Sequence, residues 1–195
     1  MSRGRVSRAG GGGTRHSSKA FSAMKVTLHM SMSVNAVIAR EDDRCDFLAP
    51  ENWQMLVELA HEAGAVVWGR RTHEVVRGYG GSFLTDLDGL TRIVLTSAAD
   101  PQLEAGWEVA RTPHEALARV AKAGGSHLLV VGGASVNSAF ASAGLIDDVI
   151  LNVESVIIGN GRPLFAPAEF DIPLLLAGME RVRDEIIQLH YKVKK

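Results

Sequence analysis

The stretch Leu128–Phe140, LLVVGGASVNSAF, limits what this chain can fold into more than any other. Leu128 to Val131 is a short, wholly apolar run, the pattern of a strand buried on both faces. The pair Gly132-Gly133 follows at once. Then comes a helical spacing, with Val136, Ala139, Phe140 and Ala143 on one side and Gly144 as a C-cap. Strand, glycine pair and helix make a corner suited to an anion. Residues without side chains let the backbone approach a ligand, and the first helical turn aims unpaired N–H groups at it. Two glycines also serve a plain βα turn, so the motif gains meaning only from its company.

That company is an alternation of strands and helices. From Met24 to Val34, Val26, Leu28, Met30, Met32 and Val34 alternate with Thr27, His29, Ser31 and Ser33, which is strand periodicity. A polar, acidic loop spans Asn35–Pro50. A helix is expected from Glu51 to Ala63, its apolar side carrying Trp53, Leu56, Val57, Ala60 and Ala63, ended by Gly64. Ala65–Trp68 reads as a buried strand leading through Gly69-Arg70-Arg71-Thr72 into a brief helix, and residues 78–91 as a loop. Arg92–Thr96 and Trp107–Ala110 are further strands. Thr112-Pro113-His114-Glu115 opens a helix with a Thr cap, Pro at the first position and Glu at the third; it buries Leu117, Val120 and Ala121. After the glycine corner, strands are expected at Asp148–Ile158, Pro173–Ala177 and Arg183–Val193. The pattern calls for an α/β fold: a mainly parallel central sheet flanked by helices, with antiparallel strands at the C-terminal edge.

Composition narrows the function classes. A content of 46% hydrophobic and 22% charged residues is that of a globular chain, not a disordered one. No apolar run approaches the ~20 residues that span a membrane. Cys45 is the single cysteine and sits in a charged loop, so nothing calls for an oxidising compartment, and the expected location is cytoplasmic. Residues 1–23 carry five bases, no acids and a four-glycine run, and are expected to be a disordered leader. The remainder keeps 16 of the 21 bases against all 22 acids, a balance of −6 that disfavours nucleic acid as a partner. A phosphorylated small molecule would have to be held by local arginines and helix ends.

Ligands of open α/β sheets gather beyond the carboxyl ends of the strands. Four polar clusters fall there: Ser33-Val34-Asn35-Ala36, Gly69-Arg70-Arg71-Thr72, Thr96-Ser97 and Gly132-Gly133-Ala134-Ser135. Paired arginines and hydroxyls suit a dinucleotide with an extra ribose phosphate, although Arg70 and Arg71 read equally as a solvated basic pair. The corner lacks the third spaced glycine of a Rossmann fingerprint, and no Walker-type lysine follows any glycine loop.

Taken in order, VVWGRRTHE, IVLTS, VVGGASVN and AGLIDDVILNVESVIIGNGRPLF resemble the dihydrofolate-reductase-like superfamily. The branch they are most similar to is the reductase domain of bifunctional riboflavin-biosynthesis deaminase-reductases and its stand-alone relatives. The resemblance spans residues 24–193, and implies one reductase domain over residues 24–195. It implies an NADPH-dependent reductase of a nitrogen heterocycle or ribosylamine, like 5-amino-6-(5-phosphoribosylamino)uracil reductase; a dihydrofolate or pterin reductase and a non-catalytic nucleotide-binding module are the alternatives. By that likeness Gly69, Arg70, Arg71 and Thr72 hold cofactor phosphates, and Thr96 and Ser97 lie near the adenosine ribose phosphate. Gly132, Gly133, Ala134, Ser135 and Val136 form the pyrophosphate corner. Ser33 to Ala36, with Ser33 and Ala36 toward the cofactor, form the lip where nicotinamide and substrate meet.

Two departures bear on catalysis. The riboflavin branch reads Ser-Leu-Asp-Gly at the lip, where this chain has Ser33-Val34-Asn35-Ala36 and so lacks the carboxylate. Dihydrofolate reductases place an acid near the start of the next helix, where Glu51 stands, though acids also suit any first helical turn. Asn35 and Glu51 are therefore the candidate catalytic residues. His29, His127 and His190 lie on strands and read as packing residues; no His/Cys/carboxylate spacing suggests a metal. Trp53, Trp68 and Trp107 are most simply core, with Trp53 also able to line a pocket. A homodimer is permitted by the apolar alternation of Ile187–Val193.

Overall fold

The computed structural model describes residues 24–183 and 185–194; the expected leader at 1–23 lies outside them. Its first strand, β1 (Lys25–Ser33), is central. Parallel to it run β6 (His127–Val130) on one side and β7 (Asp148–Glu154) on the other. Beyond β6 the parallel set continues through β3 (Ala65–Gly69), β4 (Thr91–Leu95) and β5 (Trp107–Ala110). Beyond β7 the sheet turns antiparallel with β10 (Ile186–Val193) and β9 (Leu174–Arg183), giving the order β5-β4-β3-β6-β1-β7-β10-β9. Two short strands, β2 (Val37–Ala39) and β8 (Arg162–Pro163), pair separately.

Helices cover both faces, burying β3 and β6, which are apolar on both sides, and the apolar side of β1. On one face α1 (Glu51–Ala63) and α2 (Arg70–Tyr79) bury Ala60, Ala63 and Val76 against Val66, Trp68, Val94 and Leu129. On the other, α3 (Pro113–Lys122) and α4 (Ala134–Ser142) bury Leu117, Val120 and Phe140 against Leu28, Val67, Ile93 and Leu128. Trp68 and Trp107 stack at 4.7 Å within the first layer, as core. The α3 cap forms as its sequence requires, Thr112 Oγ1 accepting from Glu115 N at 3.1 Å. Gly64 ends α1 in the left-handed conformation at φ 75°.

The polar side of β1 is buried, as the reading of His29 as a packing residue implies, with Thr27, His29 and Ser33 all inside. Several expectations needed correction. β7 stops at Glu154 instead of Ile158, because Val156 N turns back to Glu154 O and Val34 N bonds Val156 O. β9 runs on to Arg183 rather than ending at Ala177, as Gly178, Met179 and Glu180 all find partners on β10. On α3 the buried alanine is Ala116, while Ala121 is exposed. The loop at 78–91 contains a 3₁₀ turn at Thr85–Leu87.

Candidate active site

Two helix starts meet at the carboxyl end of the sheet. α2 begins after Gly69 and α4 after Gly133, neither with a side-chain cap nor an acid in its first turn. Their free N–H groups and dipoles therefore face open space. The glycines set the spacing. Gly69 N donates to Gly132 O at 2.8 Å, and a Cβ built on Gly69 would lie 3.1 Å from Val136 Cγ2. A Cβ on Gly133 would meet Thr72 Oγ1 at 3.5 Å, so that residue lies between the two helices. Gly132 sits at φ 87°, where a side chain would strike Met30 Sδ at 2.9 Å, and the Gly132–Gly133 peptide is cis. Such a floor has the form of an anion site built from backbone alone.

A cavity of about 1240 Å³ opens from this floor. At one end, β4 and β5 contribute Thr96, Ser97 and Arg111. The Arg111 guanidinium is held by backbone carbonyls, Thr96 O at 2.8 Å, Ala99 O at 3.3 Å and Ala98 O, which leaves its charge facing that end. Arg70 reaches Glu74 one turn along its helix at 2.9 Å. Arg71 crosses to Asp43 at 3.4 Å, and Asp43 also holds Arg162 at 2.9 Å. The loop between β2 and α1 is thus tied to α2 over the cavity. Cys45 and Tyr79 touch at the same crossing. Burial pushes the Cys45 thiol up, and burial followed by the Cys45 contact raises Tyr79 to about 12.

The other end lies between α1 and α2. Its floor is a buried amide network that sequence reasoning did not single out. Asn52 Oδ1 accepts from Ser31 Oγ at 2.6 Å and from Asn152 Nδ2 at 3.0 Å. Asn52 Nδ2 donates to Ala49 O at 3.0 Å and to the buried Glu154 carboxylate, which also takes Ala49 N at 3.0 Å. Gln188 Nε2 donates to Asn152 Oδ1 at 2.9 Å. Beside this network His29 lines the cavity with Nδ1 unpaired among the described residues; desolvation pushes its pKa down to about 4, against a weaker pull from the Ile150 backbone. Ring walls come from Trp53, Phe83 and Tyr79.

Of the residues expected at the site, Gly69, Arg70, Arg71, Thr72, Thr96, Ser97, Gly133, Ala134, Ser135 and Val136 all line this one cavity, and Gly132 lies directly beneath it. The lip residues do not line it. Ser33 Oγ donates to Asn35 Oδ1 at 2.8 Å and accepts from Val37 N at 3.0 Å, closing a turn in which Ala36 takes φ 60°. Asn35 is spent on Ile158, donating to its O at 2.7 Å and accepting from its N at 3.1 Å. Glu51 does not line the cavity either; one residue on, and about 100° around the helix, Asn52 does. The missed network had a readable trace: Asn52 on the inner side of a helix start, and Asn152 and Glu154 within an otherwise apolar strand. Among the described residues no cluster of three His, Cys, Asp or Glu could hold a metal, and no helix is long and apolar enough to cross a membrane.

Comparison with known proteins places this architecture. The uncharacterized protein YwjB of Bacillus subtilis is 28% identical over 171 residues, covering 86% of this chain and 97% of that protein. A putative riboflavin biosynthesis protein from Shewanella sp. PV-4 superposes with a TM-score of 0.72 at 20% identity, covering 88% of this chain and all 100% of that one. Dihydrofolate reductase from Enterococcus faecalis, complexed with NADP(H), superposes with a TM-score of 0.67 at 21% identity over 88% of this chain and 97% of that one. At these identities the two structures establish the fold, that of dihydrofolate reductase. A family model for the RibD C-terminal domain matches residues 24–188, nearly the whole described chain. The chain belongs to the RibD C-terminal domain family, the riboflavin-biosynthesis reductase-like branch of the dihydrofolate-reductase fold.

Proposed function

We propose that this protein is an NADPH-dependent reductase that passes a hydride to a C=N or carbonyl carbon of a nitrogen heterocycle or ribosylamine-type substrate. The observation that carries the reading is convergence: phosphate-suited groups from three distant segments, residues 69–72, 96–97 and 133–136, line one cavity together with Arg111, with two open helix starts in its floor. The residues fit the cofactor. The α2 and α4 starts with Thr72, Gly133 and Ser135 would take the pyrophosphate. Ser97, Arg70 and Arg111 would take the ribose 2′-phosphate, for which a guanidinium offers paired donors. NADPH supplies the hydride. The protein orients the two reactants and excludes water, its floor network holding Ser31 and Asn52 fixed beneath the substrate end.

Protonation follows from what lines the cavity. At the floor, Asn52 has no proton to give up, His29 is neutral near pH 7, and Glu51 lies outside the cavity. The amide floor thus supplies no proton, and water entering by the mouth, where the Asp43 and Asp46 carboxylates stand, is left to deliver the one that accompanies the hydride. Calorimetric titration with NADPH and NADH tests the reading. Micromolar NADPH binding with at least about a tenfold preference over NADH is expected, reduced to near parity in Arg70→Ala or Arg111→Ala. Binding no tighter than about millimolar, or a preference untouched by both variants, would defeat it.

A further inference from the structure

Resting on that reductase reading, we propose that the substrate end of the cavity selects a flat, uncharged ring system and rejects a sugar phosphate. The wall is built for a ring. Trp53 and Phe83 lie 4.8 Å apart and Tyr79 and Phe83 5.4 Å apart, so three aromatic rings are contiguous between α1 and α2. Trp53 is fixed in place by its own N–H, which donates to Asp86 at 2.8 Å. Leu56, Val76 and Val131 complete the chamber. A planar ligand laid against this contiguous wall gains stacking and apolar burial together.

Charge argues the same way. Of the arginines on α2, Arg70 and Arg71 line the cavity at the first turn, whereas Arg77 in the last turn pairs with Glu104 at 3.7 Å and does not line it. The chamber runs past Val76 and Tyr79, roughly 9–14 Å along the helix from Arg70 at 1.5 Å per residue. A phosphate there would lose its hydration and gain no charge-assisted hydrogen bond. Nor are the cations at the mouth idle. Arg71 and Arg162 share Asp43, Arg44 is held by Asp42 at 2.7 Å, and the carboxylates of Asp43 and Asp46 line the same opening. Two polar features remain for a ligand to read. The amide floor around Asn52 is internally satisfied and presents a fixed polar edge, and the buried His29 Nδ1 has no hydrogen-bond partner among the described residues. Held neutral by burial, that imidazole offers one hydrogen bond to a ring nitrogen or carbonyl and no charge to a phosphate.

The test is calorimetric titration of the full chain, with and without saturating NADPH, using three probes: an aminopyrimidine riboside, its 5′-phosphate, and 7,8-dihydropterin. Expected is binding of riboside and pterin at least about tenfold tighter than the phosphate, with Phe83→Glu erasing the difference by weakening the two uncharged probes. Tyr79→Glu, at a half-exposed position, gives the same readout should the Phe83 variant fail to fold. Tighter binding of the phosphate that vanishes in Arg162→Ala would overturn the inference by putting a phosphate on the Asp43 cluster. Equal affinities, or no heat from any probe, would overturn it as well. NADPH titrated alone reports separately: if it fails to bind, the reductase reading falls, while the ranking of the three probes still judges the chamber.

Discussion

His29 sits at the middle of β1 with 2% of its surface exposed, under α1 and at the wall of the substrate chamber. Burial pushes its pKa from about 6.5 down to about 4, so the folded protein prefers the neutral ring. Between those values the unfolded chain binds the extra proton. The stability His29 contributes is therefore complete above about pH 6.5 and is lost as the pH falls toward about 4, an effect of up to about 3 kcal/mol. Urea midpoints measured from about pH 7.5 down to about pH 4.5 should fall, and His29→Gln should flatten that decline. An equal slope in both proteins would remove the ring from the account. In the sequence His29 looked like one polar residue in an alternating strand. Its alternation and its packing role were legible; that its Nδ1 would lie at a cavity wall without a partner among the described residues was not, because that depends on which distant elements close over the strand. The same limit explains Glu51 and Asn52. A helix start was readable at Pro50, but a register error of one residue turns a side chain by about 100°, enough to exchange a surface acid for a cavity amide.

At the scale of elements, the two glycines of the α4 corner do different jobs. Gly132 holds φ 87° with Met30 Sδ 2.9 Å from where a Cβ would be, whereas Gly133 has φ −72° and only Thr72 Oγ1 at contact distance. Gly132→Ala should lose roughly 1–3 kcal/mol of stability, from strain and overlap together. Gly133→Ala puts its methyl group between the α2 and α4 starts. It should weaken NADPH binding by about tenfold or more while shifting the melting temperature by no more than about 2 °C. Thermal unfolding and titration of the two variants separate the roles; a Gly133→Ala protein that binds NADPH normally would take the pyrophosphate off this corner. Elements like these were the readable part of the chain. Thr112-Pro113 with Glu115, and Gly64 after an amphipathic stripe, announce their helices through local chemistry alone. The strand ends after residue 154 and through Gly178 were not readable, since they are set by partners more than 100 residues away or across a hairpin. The Asn35 side chain that pins Ile158 is one such partner.

For the molecule as a whole, the sheet is protected at most of its surface but not at β9. This ten-residue edge strand leaves Leu175 at 53%, Leu176 at 61% and Met179 at 68% exposed, with Ile187 of the neighbouring strand at 45%. Of the apolar alternation on β10 that suggested a partner, Leu189, Tyr191 and Val193 pack against the core and Ile187 stays exposed, so the open surface runs from Ile187 outward onto β9. An edge strand with unpaired backbone groups and apolar side chains on both sides is a template for association unless something covers it. Residues of both faces take part, since Leu175 and Leu176 point to opposite sides of the strand, which favours an edge and its flanking face packing together over a face alone. A second copy of the chain, placed about a two-fold axis, covers each edge with the other. Sedimentation velocity should therefore find a dimer at about 10 μM, and Leu176→Lys together with Met179→Lys should yield monomers that still bind NADPH, because the cavity lies at the far side of β1 from this edge. A wild-type monomer at about 100 μM would assign the exposed leucines to some other contact and leave the reductase site complete within one chain.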